Sequence, residues 1–174
     1  MRKKITPEKD YVTELVQIIR STKEEAILRD KLSDYHEKDI AEAVTKLTAD
    51  ERKHLYGVLG VQKVAEIFSY LDDAEAYLDE LPIERVAKVM SYMDADDAMD
   101  VLDDLQEAKK QEIVRRLDDD AREDVRRLLS YDEDEIGSCM TNNFICIPDN
   151  LTIREAMSAL IRQAGEHDNI STIY

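Results

Sequence analysis

The chain is poor in the residues that make tight turns, covalent bridges and membrane spans. Its 174 residues include 4 Gly, 3 Pro, 2 Cys, 2 Phe and no Trp. So little Gly and Pro excludes an all-β sandwich, whose frequent reversals need special turn residues. Cys139 and Cys146 stand without a Cys-x-x-Cys motif, make no disulfide framework, and are read as small apolar side chains. His36, His54 and His167 are scattered, with no partner at i+3 or i+4, which argues against zinc. The longest uncharged stretch, Ile136 to Pro148, is half polar and far from the roughly 20 apolar residues of a membrane span. No signal peptide is expected either. Ser-His-Asp arrangements, P-loops and Gly-rich dinucleotide turns are missing, so nothing in the sequence points to an enzyme.

What the chain has in excess is negative charge. Forty acidic residues oppose 24 basic ones, a net charge of −16. That balance argues against nucleic acid and anionic lipid as partners, since both need clustered Lys and Arg. The excess is uneven: residues 1–60 are neutral overall, residues 61–140 carry −14 and residues 141–174 carry −2. Between Asp72 and Glu107 there are 13 carboxylates, and only Arg85 and Lys88 oppose them.

A repeat organises the same region. Leu47, Leu59, Leu71, Leu81, Met93, Leu105, Leu117 and Leu129 each close a unit, at spacings of 12 residues except for 10 between Leu71 and Leu81. Inside the units apolar residues recur at i, i+3, i+4 and i+7, as in Val64, Ile67, Phe68 and Leu71, or Val86, Val89, Met90 and Met93. Ala98, Val101, Leu102 and Leu105 repeat it, and Lys110 takes the first slot before Ile113, Val114 and Leu117. That is one apolar stripe on a short helix. Thr48 with Glu51 predicts a capping box, Pro82 suits a first helical position, and Asp94 precedes a helix. Thr6-Pro7 is expected to open a longer helix reaching about Arg29, with Val12, Leu15, Val16 and Ile19 on one face. Short helices that cannot bury their stripes alone must stack on one another. The expected fold is mainly α, a superhelical stack of short helices in about 12-residue repeats.

After Leu129 the pattern changes. Asp132-Glu133-Asp134-Glu135 is a solvated acidic run and Gly137 breaks the helix. Phe144 to Ile147 is a β-type run ended by Pro148. Thr152 and Glu155 predict a second capping box, opening a helix with Ile153, Ala156, Leu160 and Ile161. A last β-type stretch, Ser171 to Tyr174, stops as it starts, so the chain is expected to be cut short. The division this suggests is 1–130, an acidic helical-repeat domain; 131–137, an acidic junction; and 138–174, the opening of a second domain.

The densest acidic cluster is Asp94, Asp96, Asp97, Asp100, Asp103, Asp104 and Glu107, with no basic residue among them. Helical spacing places Asp96, Asp100, Asp103 and Glu107 near one face, with Asp97 and Asp104 beside it. The plainest account is a solvated face whose first carboxylates complement the helix dipole. Like charges at i,i+4 repel, however, and a divalent cation relieves them. Carboxylates without His or Cys favour a hard ion, and Mg²⁺ suits a sparse site better than Ca²⁺ because it keeps most of its waters. Glu66, taken alone, is a surface glutamate. The Arg115-Arg116 and Arg126-Arg127 pairs are expected to answer nearby acids such as Asp118 to Asp120 and Glu123, with an anion site as the lesser alternative.

The junction, Leu-Leu-Ser-Tyr-Asp-Glu-Asp-Glu-Ile-Gly-Ser-Cys-Met-Thr from Leu128 to Thr141, is followed by Leu-Thr-Ile-Arg-Glu-Ala-Met-Ser-Ala-Leu-Ile-Arg from Leu151. Together with the leucine-closed repeats, over about residues 30–174, this order resembles the cytosolic region of the MgtE family of magnesium transporters. The resemblance implies an N domain followed by the start of an α/β CBS domain, in a homodimeric transporter or channel of the cell membrane. It implies that Mg²⁺ bound between acidic N-domain and CBS surfaces favours the closed pore, with the protein's own CBS pair and membrane domain as partners. By similarity the metal ligands fall on Glu66, Asp96 and Asp100, with a backbone carbonyl from Gly137, and Asp97 beside them is a further candidate ligand. Two readings from other classes stand beside it: an acidic helical-repeat protein–protein adaptor, and a nucleotide-binding CBS regulatory module.

Overall fold

The computed structural model describes residues 11–131, 135 and 145–164. Among them are eleven helices: α1 (Tyr11–Ser21), α2 (Glu25–Leu32), α3 (Glu37–Val44), α4 (Ala49–Leu59), α5 (Val61–Phe68), α6 (Ala74–Leu78), α7 (Ile83–Met90), α8 (Ala95–Asp103), α9 (Glu107–Arg116), α10 (Asp119–Leu128) and α11 (Ile153–Gln163). The closing residues fall at helix ends: Leu59 is the last residue of α4, the other seven follow a helix, and five of these tighten its last turn. The backbone N–H groups of Leu47, Leu71, Leu81, Met93 and Leu105 donate to the carbonyls of Val44, Phe68, Leu78, Met90 and Leu102, three residues back, at 3.0–3.2 Å. This satisfies a carbonyl that the helix leaves without a partner and turns the chain for the next unit.

Helices pack on the next but one. One row runs α1, α3, α5, α7 and α9, and α2 on α4 and α8 on α10 form parts of a second. The predicted stripes face the interior: Val64, Ile67, Phe68, Val86, Val89, Met90, Ala98, Val101, Leu102, Leu105, Ile113, Val114 and Leu117 are all buried. They belong to one continuous core from Leu15 to Val125. Each fully buried Leu, Val or Phe stabilises it by roughly 1.5–3 kcal/mol. Lys110, in an apolar slot, lays its stem against this core with only 17% of the side chain exposed. Gly60 joins α4 to α5 at φ +80, a conformation that L side chains rarely adopt.

Several local expectations are met. Thr48 and Glu51 form a capping box, with Thr48 N–H donating to Glu51 Oε2 at 2.8 Å and Glu51 N–H to Thr48 Oγ1 at 3.4 Å. Thr152 and Glu155 repeat it on α11. Pro82, expected at the first helical position, instead lies one residue ahead of α7 as its N-cap. The long first helix does not form as expected: it is interrupted at 22–24, and α2 restarts at Glu25. This break lets Leu28 and Leu32 turn inward beside Leu15 and Ile19. No strand occurs among the described residues, and 145–148 are irregular. Phe144, Gly137, Cys139, His167 and the expected strand Ser171–Tyr174 lie outside them.

Candidate functional site

The acidic cluster divides between two helices. Leu105 closes α8, so Asp96, Asp97, Asp100 and Asp103 lie on α8 while Glu107 is the first residue of α9. The expected single face through Glu107 is therefore not formed, because a helix that ends at Asp103 cannot carry it. Glu107 instead accepts a hydrogen bond from Gln111 Nε2 at 2.6 Å. Asp103 is also answered, by Lys110 Nζ at 2.6 Å. Asp97, Asp100 and Asp104 have no Lys or Arg at ion-pair distance among the described residues.

Asp100 is where this crowding registers. Partial burial first, and then the charges of Asp97, Asp96, Asp103 and Asp104, push its carboxyl above the usual aspartate range. Its ionised form is thus disfavoured, and a cation beside it would reverse that. Asp96 and Asp97 are half-buried in the first turn of α8, where the helix dipole complements their charge.

The wider acidic stretch is less bare than its composition suggests, since cations reach it from outside. Lys109 pairs with Asp79, and Arg116 lies 4.0 Å from Glu84. Arg52 Nε donates to Glu80 Oε2 at 2.9 Å, its side chain and that of Glu80 only 13% and 16% exposed. Its guanidinium also lies 5.0 Å from the centre of the Tyr77 ring.

Glu66 is not a lone surface glutamate. Lys63 Nζ lies 3.0 Å from Glu66 Oε2 on the same helix and also pairs with Glu37 on α3. The i,i+3 spacing of Lys63 and Glu66 was visible in the sequence; the link to Glu37, made by the packing of α3 on α5, was not. Burial draws the Glu37 carboxyl up more than any single contact lowers it, but the hydrogen bond from Lys63, a backbone hydrogen bond and the nearby charges of Lys63 and His36 together outweigh it, so that it ends below the usual range. Gly137 lies outside the described residues. Among those residues no group of three or more His, Cys, Asp or Glu could hold a metal ion. The donors of α8 fit Mg²⁺ in kind, since that ion takes one or two carboxylates and keeps several waters. They fit it in number only as part of a site completed by a second surface.

These features define an acidic helical-repeat domain with carboxylates left unanswered along one helix. The family model of the MgtE intracellular N domain matches residues 35–134, more than half of the chain, and the chain belongs to that family. It is 30% identical over 152 residues to the magnesium transporter MgtE of Thermus thermophilus, covering 84% of this chain and 34% of that protein. The chain therefore spans about a third of the length of this relative. A crystal structure of the soluble part of a magnesium transporter superposes with a TM-score of 0.82 at 25% identity, over 92% of this chain and 64% of that one. The cytosolic domain of the Mg²⁺ channel MgtE in complex with ATP superposes with a TM-score of 0.74 at 27% identity, over 91% of this chain and 66% of that one. Among the described residues no helix is long and apolar enough to cross a membrane.

Proposed function

We propose that this chain is the cytosolic magnesium-sensing region of an MgtE-like transporter, in which Mg²⁺ between acidic N-domain and CBS surfaces favours the closed pore. The observation that carries the reading is Asp100, raised in pKa among unanswered carboxylates on α8, in a chain of the MgtE N-domain family. Asp96, Asp97 and Asp100 offer carboxylates from α8. Glu66 offers another from α5, at the cost of its contact with Lys63. Gly137 would contribute a backbone carbonyl. Bound there, the ion supplies positive charge between two surfaces that otherwise repel. The balance shifts only as far as one arrangement binds it better than the other. The domains assigned are 1–130 for the N domain, 131–137 for the junction and 138–174 for the start of a CBS domain. The complete protein is read as a homodimer in the cell membrane, with no enzymatic role.

The test is thermal unfolding of the chain continued through its complete CBS pair. Millimolar MgCl₂ raises the melting temperature beyond NaCl of equal ionic strength, and Asp97→Asn with Asp100→Asn reduces that rise. Identical melting in the two salts contradicts the reading. Adenine nucleotide at the CBS region is a second reading, favoured by the ATP complex of the related cytosolic domain; a melting shift with ATP in Mg²⁺-free buffer would support it. The adaptor reading has no comparable support.

A further inference from the structure

The two Arg-Arg pairs do different work within each pair. Arg116 pairs with Glu112 on its own helix at 2.9 Å. Arg127 lies 3.4 Å from Asp124 and 3.8 Å from Glu123. The expected partners Asp118 and Asp119 are taken instead by Lys88 and Arg122. The first member of each pair, Arg115 and Arg126, has no carboxylate partner among the described residues, in a chain of net charge −16. Both line one cleft of about 500 Å³ between α9 and the end of α10, together with Lys110, Val114 and Leu129.

The cleft has the parts of a ligand site. Its volume is within the range of roughly 300–1,000 Å³ that small molecules occupy. Leu129 is 40% exposed and Val114 is 8% exposed, which gives an apolar wall. Arg115 Nε donates to the Gln111 carbonyl at 3.1 Å, which fixes the guanidinium and leaves its outer nitrogens for another acceptor. Glu107, the one carboxylate among the lining residues, accepts from Gln111 Nε2 and keeps its charge, while Lys110 is paired with Asp103. Two guanidinium groups from two helices remain, and that fork geometry suits carboxylate or phosphate oxygens.

We propose that this cleft binds a small organic anion, its carboxylate or phosphate between Arg115 and Arg126 and its apolar body against Val114 and Leu129. The site meets the acidic face of α8 through Lys110, which pairs with Asp103, but does not rest on the magnesium reading. Isothermal titration of this chain with phenyl phosphate and with inorganic phosphate tests it. Phenyl phosphate binds at least several-fold more tightly than inorganic phosphate. Arg115→Gln with Arg126→Gln weakens phenyl phosphate roughly tenfold or more, the scale of a lost charged hydrogen bond. Arg116→Gln with Arg127→Gln, which removes the same charge from the same helices, leaves binding within about twofold of the parent. Leu129→Ser weakens phenyl phosphate but not inorganic phosphate, and a benzoate arm separates carboxylate from phosphate preference. No heat with either phosphate at tens of millimolar, or equal loss in the two double variants, overturns the proposal.

Discussion

Between α3 and α5, and between α4 and the turn after α6, carboxylates that approach a neighbouring helix meet a cation; along α8 and at its C-cap three meet none among the described residues. Glu37 and Glu66 share Lys63, Glu80 has Arg52, and Glu51 has Arg20 at 2.8 Å. Asp97, Asp100 and Asp104 have no Lys or Arg at ion-pair distance among the described residues, and Asp100 feels the charges of Asp96, Asp97, Asp103 and Asp104. The answered groups are driven toward ionisation: Glu51 falls to about 2, by the Arg20 hydrogen bond first and the Thr48 backbone next. The unanswered one, Asp100, is driven the other way. Charge in the first region holds helices together, whereas charge in the second opposes the isolated fold.

Breaking the answered side gives the largest effect. Arg52→Met leaves Glu80 half-enclosed without its cation and removes the contacts to Tyr77 and the Leu47 carbonyl, and it should destabilise by about 3 kcal/mol in urea unfolding. Lys63→Met should cost roughly 1–2 kcal/mol at neutral pH, because Glu37 and Glu66 then face each other uncompensated. Glu37 has a lowered pKa in the fold, so its contribution is present above the unfolded value near 4.5 and is lost as pH falls through the folded one. The Lys63→Met penalty should shrink over that interval.

The unanswered side should respond with the opposite sign. Asp100→Asn removes like-charge pairs at i,i+3 and i,i+4 and should stabilise the metal-free chain by roughly 0.5–1 kcal/mol at low salt, less as salt is added. A raised carboxyl contributes stability below its unfolded value, near 3.8, and loses it as pH rises through the folded value. Acidification through that interval should therefore favour the parent relative to Asp100→Asn. The smallest change expected is from Glu51→Gln. Glu51 stabilises above about 4.5 and loses that effect as pH falls toward about 2. The variant should lack the corresponding slope in its pH–stability curve.

The stack was legible because its signal is redundant. Eight closing residues, spaced by 12 but for one interval of 10, and an apolar stripe repeated from unit to unit give the same reading, so one irregular unit does not hide it. The break at 22–24 was not legible, because Thr-Lys-Glu contains no Gly or Pro and its cause is the inward turn of Leu28 and Leu32 against α1. The end of α8 ahead of Glu107 is marked in the sequence: Leu105 is itself a closing residue, and a face drawn through it joins two helices. The Lys110 slot carried a signal too, since a lysine among apolar residues implies a carboxylate within its reach, here Asp103. Pairs such as Lys109–Asp79 and Lys63–Glu37 depend on tertiary packing and could not be found by spacing.

The most direct test is the side-chain carboxyl pKa of Asp100, followed by NMR in the chain continued through its complete CBS pair. In EDTA it should lie above the ordinary aspartate range, and MgCl₂ should lower it well beyond what NaCl of equal ionic strength achieves. An ordinary value in EDTA, or the same displacement in both salts, would contradict a face held ready for a divalent cation.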